Sequence, residues 1–71
     1  MMPLGMVEIG ESGVIGKITG QDEVRQHLSL IHISEPERVT VVSKMGGNLI
    51  CAVKDSRVAL SQSMAMRVLV N

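Results

Sequence analysis

Apolar residues fall in short runs separated by glycines and polar clusters, and most of the runs carry the two-residue period of a strand. Val14 to Thr19 reads as a first strand, opened by Gly10-Glu11-Ser12-Gly13 and closed by Gly20. Arg38 to Met45 reads as a second, with Val39 and Val41 alternating against Arg38 and Thr40. Gly46-Gly47-Asn48 follows at once. These residues tolerate positive φ, so the step is a hairpin turn into a paired strand over Leu49 to Val53. Lys54-Asp55-Ser56 is a further polar turn, and Arg57 to Leu60 a short strand. Ser61 to Met64 fits a single helical or 3₁₀ turn, and Arg67 to Val70 a closing strand. Val41, Ile50, Leu60 and Val68 are the expected core positions.

One segment departs from this period. Val24, Leu28 and Ile31 stand at i, i+4 and i+7, a single apolar stripe on a helix. Thr19 or Asp22 is placed to cap its start, Asp22 and Glu23 suit the positive end of its dipole, and Pro36 bounds its far side. The pattern predicts a mainly β fold, a small barrel or sandwich of about five strands with one short helix, in a single domain over residues 1–71.

Composition sharpens this. Ten Val and six Ile favour strands, because branching at Cβ packs on a pleated surface. The chain has 71 residues and no Phe, Tyr or Trp, so its core is aliphatic. The absence of aromatics removes the stacking platform of single-strand binders and the groove that docks proline-rich peptides. Seven basic and seven acidic residues give no net charge. A nucleic-acid partner and a polybasic membrane anchor are both disfavoured. No apolar run approaches the length of a spanning helix, and no signal-peptide pattern opens the chain, so the expectation is a cytoplasmic protein without direct membrane insertion.

Few residues invite chemistry. His27 and His32 lie five apart, about 140° around a helix, so they do not chelate one metal as an i, i+4 pair would. Cys51 sits in an apolar strand, where a free cysteine behaves as a small hydrophobe, and it cannot form an internal disulfide alone. Glu8, Glu11, Asp22 and Glu23 are the densest acidic group; a solvated surface is favoured over a weak iron contact. The glycines form no phosphate loop, since Gly10-x-x-Gly13-x-x-Gly16 leads into a strand. Met64 and Met66 read as strand-end packing. Nothing reads as catalytic, and no cofactor or metal site is expected. These features describe a small neutral interaction module.

Several stretches carry a resemblance to a known family: Met2-Pro3-Leu4, Gly10-x-x-Gly13-x-Ile15, the Val24–Leu28 helix and Val39-Thr40-Val41-Val42. Gly46-Gly47-Asn48-Leu49-Ile50, Ser56-Arg57-Val58-Ala59-Leu60 and Ser63-Met64-Ala65-Met66-Arg67-Val68-Leu69-Val70 continue it, the last being the most specific. The chain resembles FeoA, ferrous iron transport protein A, a bacterial family. The resemblance implies an SH3-like barrel and a cytosolic accessory that binds or regulates FeoB, the membrane Fe²⁺ transporter with a G-protein domain. A different class remains open beside it: a free-standing SH3-like regulatory domain related to metal-dependent repressors of the diphtheria-toxin-repressor type. Against that class, no DNA-binding helices are present.

One stretch departs from the family. A Leu-Gly-Phe-like turn and a Pro-Gly are usual after the helix, where this chain has Ile31-His32-Ile33 and Glu35-Pro36. Without the glycine, a left-handed cap falls to His32, which adopts it at a cost. The string Leu28 to Pro36 also reads like the translation of a common sequencing-adapter end, and on that reading His32 and its neighbours carry no selected function.

The expected partner surface is the hairpin tip Met45-Gly46-Gly47-Asn48. A methionine beside two glycines suits an adaptable apolar contact. The competing expectation is that Met45 folds back over the open end of the barrel.

Overall fold

The computed structural model describes residues 1–31 and 33–71. Six strands form one antiparallel sheet in the order β1-β6-β2-β3-β4-β5. They are β1 (Met2–Pro3), β2 (Ser12–Ile18), β3 (Arg38–Met45), β4 (Asn48–Val53), β5 (Ser56–Ser61) and β6 (Val68–Val70). A 3₁₀ turn covers Leu4–Met6, helix α1 Asp22–Leu30 and helix α2 Gln62–Ala65. The register shifts twice, between Ile15 and Lys17 against β6 and between Val41 and Ser43 against β4. Such bulges bend the bulged strand and raise its twist, which curls a sheet this narrow toward a barrel.

The core is aliphatic, as the composition requires. Leu4, Ile15, Leu28, Ile33, Val39, Val41, Leu49, Cys51, Val53, Leu60, Val68 and Val70 are all buried in one cluster. Val41, Leu60 and Val68 lie where expected. Ile50 does not: it is half-buried, and Leu49, Cys51 and Val53 point inward instead. A strand alternates faces, so only one parity of β4 can face the core. Ala52, of the same parity as Ile50, is half-buried as well.

β3 occupies its expected residues, β4 and β5 begin one residue earlier than expected, and β5 also runs one residue further. The short helical turn is also present, with Ser61 as its N-cap accepting from the Met64 N–H at 3.3 Å. The expected capping of α1 by Thr19 or Asp22 is not seen. Gln21 is the N-cap and makes no side-chain cap bond. Thr19 donates through its hydroxyl to the Arg67 carbonyl at 3.1 Å, which ties the end of β2 to the approach to β6. Met64 and Met66 belong to α2 and its C-cap, not to a strand end; Met64 packs on the core and Met66 is exposed.

α1 ends on Ile31 at φ −105° and ψ 24°, a negative-φ conformation outside the helical region. The expected cap at His32 lies outside the described residues. The barrel accepts the Leu28–Pro36 string by taking Leu28 and Ile33 fully into the core. The Ile18 N–H donates to the Glu35 carboxylate at 3.0 Å, which ties the string to the end of β2, and Arg25 of α1 donates to the Ile18 carbonyl beside it.

Candidate interaction surface

The β3–β4 hairpin tip is the turn that its sequence specifies. Gly46 and Gly47 both have positive φ, 50° and 82°, and they join the facing residues Met45 and Asn48. Positive φ at both central positions is the geometry that glycine takes without strain, and its twist matches that of the flanking strands. The base of the tip is anchored. The Gly47 carbonyl accepts from the Gln62 N–H at 2.8 Å, at the start of α2. Lys44 Nζ reaches the Gly5 carbonyl at 3.4 Å. Met45 is 68% exposed on this anchored turn, so it does not fold over the barrel end. Gly46, Gly47 and Asn48 are exposed with it.

The remaining candidates are not brought together. His27 is exposed on α1. Cys51 is fully buried, and desolvation pushes its thiol pKa up, away from a reactive thiolate. Glu8 and Glu11 stand in the β1–β2 connection, while Asp22 and Glu23 occupy the first turn of α1; all four are exposed. Among the described residues no three His, Cys, Asp or Glu side chains are grouped to hold a metal ion. No helix of the described residues is long and apolar enough to cross a membrane.

Sequence reasoning missed the N-terminal β1 strand and its 3₁₀ turn. Their residues leave a shallow cleft of about 370 Å³, with Met2, Met6, Glu8 and Glu11 in its lining. Two residues carry no legible period, so β1 has no signature in the sequence. Gly5 marks the close approach that follows. A Cβ there would stand 2.8 Å from both the Gln62 amide nitrogen and the Met66 sulfur.

The family model for the FeoA domain matches residues 2–71. The chain belongs to the FeoA family. A crystal structure of FeoA described as an iron uptake regulatory protein superposes at a TM-score of 0.92 with 28% identity, covering 99% of this chain and 93% of that one. FeoA of Stenotrophomonas maltophilia, solved in complex with zinc and described as a prokaryotic SH3 domain protein, gives a TM-score of 0.85 and 27% identity, over 100% of this chain and 91% of that one. The expected SH3-like architecture is therefore borne out. A manganese-dependent transcriptional repressor shares the fold at a TM-score of 0.88 and 21% identity. The match covers 96% of this chain but only 39% of the repressor. No curated protein sequence matches significantly.

Proposed function

We propose that this FeoA domain is a cytosolic accessory of ferrous iron uptake, without enzymatic activity of its own. In this reading it acts by binding the cytosolic G-protein region of a FeoB-type membrane transporter. The observation that carries the reading is the family match along residues 2–71, together with a FeoA neighbour described as an iron uptake regulatory protein. The Stenotrophomonas maltophilia relative, described as a candidate ferrous iron transport activating factor, supports the same assignment. The contact is assigned to Met45, Gly46, Gly47 and Asn48. An exposed thioether on an anchored turn offers apolar area with little backbone ordering to lose on binding. The repressor likeness supports the barrel alone at 21% identity, so the regulatory-domain alternative gains nothing specific from it.

A pulldown of the chain with the G-protein region of its cognate FeoB, with and without nucleotide, tests the partner. Met45→Asp tests the surface. It should weaken retention while the urea midpoint stays within about 0.5 kcal/mol of the parent, as surface changes do. Unchanged retention by Met45→Asp excludes the tip as the contact. No retention of the parent chain under any nucleotide condition refutes the partner.

A further inference from the structure

The two edges of the sheet are guarded very differently. β1 is two residues long and contains Pro3, which has no N–H to offer. β5 is six residues long, without proline or bulge, and among the described residues its only ladder partner is β4. Long unguarded edges are templates for strand pairing.

The register shows which groups the edge presents. Val53 and Ser56 close a two-residue turn and form the hydrogen-bonded pair of that hairpin. From there, alternate residues of β5 direct their backbone groups toward β4: Ser56, Val58 and Leu60. Gln62 keeps the same parity, and its N–H donates to the Gly47 carbonyl. Arg57, Ala59 and Ser61 therefore turn their N–H groups away from the sheet. None of these three N–H groups enters a backbone hydrogen bond outside the strand ladders among the described residues. All three residues are exposed.

We infer that the β5 edge is a dimerisation strand, pairing antiparallel with β5 of a second copy of this chain about a two-fold axis at Ala59. The occupant follows from self-complementarity. A closed two-fold dimer uses the same patch on both partners. Centring on Ala59 sets Arg57 opposite the copy's Ser61, Ala59 opposite Ala59, and Ser61 opposite Arg57. No other symmetric register matches as many outward-facing residues. Centring on Arg57 instead sets two guanidinium groups face to face, which costs energy for like charges directly opposite. At the axis the small Ala59 side chains permit close approach. In that register Val58, half-buried in the single chain, stands opposite the copy's Leu60. The zero net charge leaves no long-range repulsion between copies. One strand per partner is a small contact, so the dimer is weak and concentration-dependent.

Sedimentation equilibrium over a concentration series tests this on the full chain, together with the concentration dependence of amide chemical shifts. The parent should move from monomer toward dimer, with the Arg57, Ala59 and Ser61 amides shifting most. Ala59→Lys places two ammonium groups across the axis and should remain monomeric at every concentration, with an unchanged urea midpoint. Added salt should partly restore its association, as screening requires. Ala59→Pro deletes an N–H that β4 does not use and should also stay monomeric; if it does not fold, Ala59→Lys carries the test alone. A parent that is monomeric throughout overturns the inference. So does a dimer that both variants leave intact. Shifts at the three edge amides that come only on adding the FeoB G-protein region, with no self-association, reassign the edge to a transporter strand and overturn the second copy.

Discussion

Replacing Leu60 by Ala removes the most informative side chain of β5. Leu60 is only 2% exposed and faces Leu49 across the β4–β5 ladder, with α2 packed on the same strand. Truncating a buried Leu costs about 2–5 kcal/mol, the transfer term plus whatever cavity persists. β5 is an edge strand beside a one-turn helix, so the surroundings can close in, and a value of about 2–3 kcal/mol follows. Whole-domain stability at roughly 0.05–0.15 kcal/mol per residue is about 4–10 kcal/mol, so this is a large fraction of it. With a urea slope near 1 kcal/mol/M, the low end for small proteins, the midpoint should fall by about 2 M. The comparator is Ile50→Ala, on the half-buried parity of β4, where the loss should be about 1 kcal/mol or less because much of that side chain is already in water. The assay is urea denaturation followed by far-ultraviolet circular dichroism, since the chain has no aromatic reporter. Leu49→Ala combined with Leu60→Ala should be non-additive, because the two share one contact. Equal costs for Leu60→Ala and Ile50→Ala refute the inward parity of β4, as does a Leu60→Ala midpoint that hardly moves.

Three further outcomes are expected. Gly47→Val, at φ 82°, should lower stability by about 1–3 kcal/mol through backbone strain alone, whereas Gly46→Asn should cost less because Asn tolerates positive φ; thermal melts compare the two. The raised thiol pKa of Cys51 means that the unfolded chain ionises first as pH rises past the ordinary value of 9.0. The unfolded state then binds fewer protons, so stability conferred by Cys51 is complete below that pH and declines above it; the decline should vanish in Cys51→Ala when urea midpoints are plotted against pH. Calorimetry of the isolated chain with Fe²⁺ or Zn²⁺ should show no stoichiometric micromolar binding. Binding of that kind, abolished by His27→Ala or Cys51→Ser, would establish a site that the grouping of side chains does not provide.

Much of the strand plan is legible in the residues themselves. β3, its glycine turn and β4 carry a period of two and a turn whose dihedral demands only certain residues meet. Those are local constraints, and local constraints are written in adjacent residues. The stripe of Val24, Leu28 and Ile31 marks α1 in the same way. Thr19 shows where local reasoning stops. It is a good cap by type, but its hydroxyl goes to Arg67, 48 positions away, a partner that only the fold brings near.

What the sequence determined by itself was the kind of molecule: aliphatic, uncharged overall, built of short strands, with the turns in place and a family likeness along its length. Periodicity and turn chemistry act over a few residues and need no third dimension. The tertiary structure decided which parity of β4 faces inward, that a two-residue β1 pairs with β6, and that Met45 stands in solvent while the neighbouring turn is tied to α2. It also decided that β5 keeps an open edge. Each of these depends on which strands become neighbours across long sequence separations. A strand's own residues specify its two faces and its backbone donors, but whether those donors find a partner is settled only when the sheet is assembled.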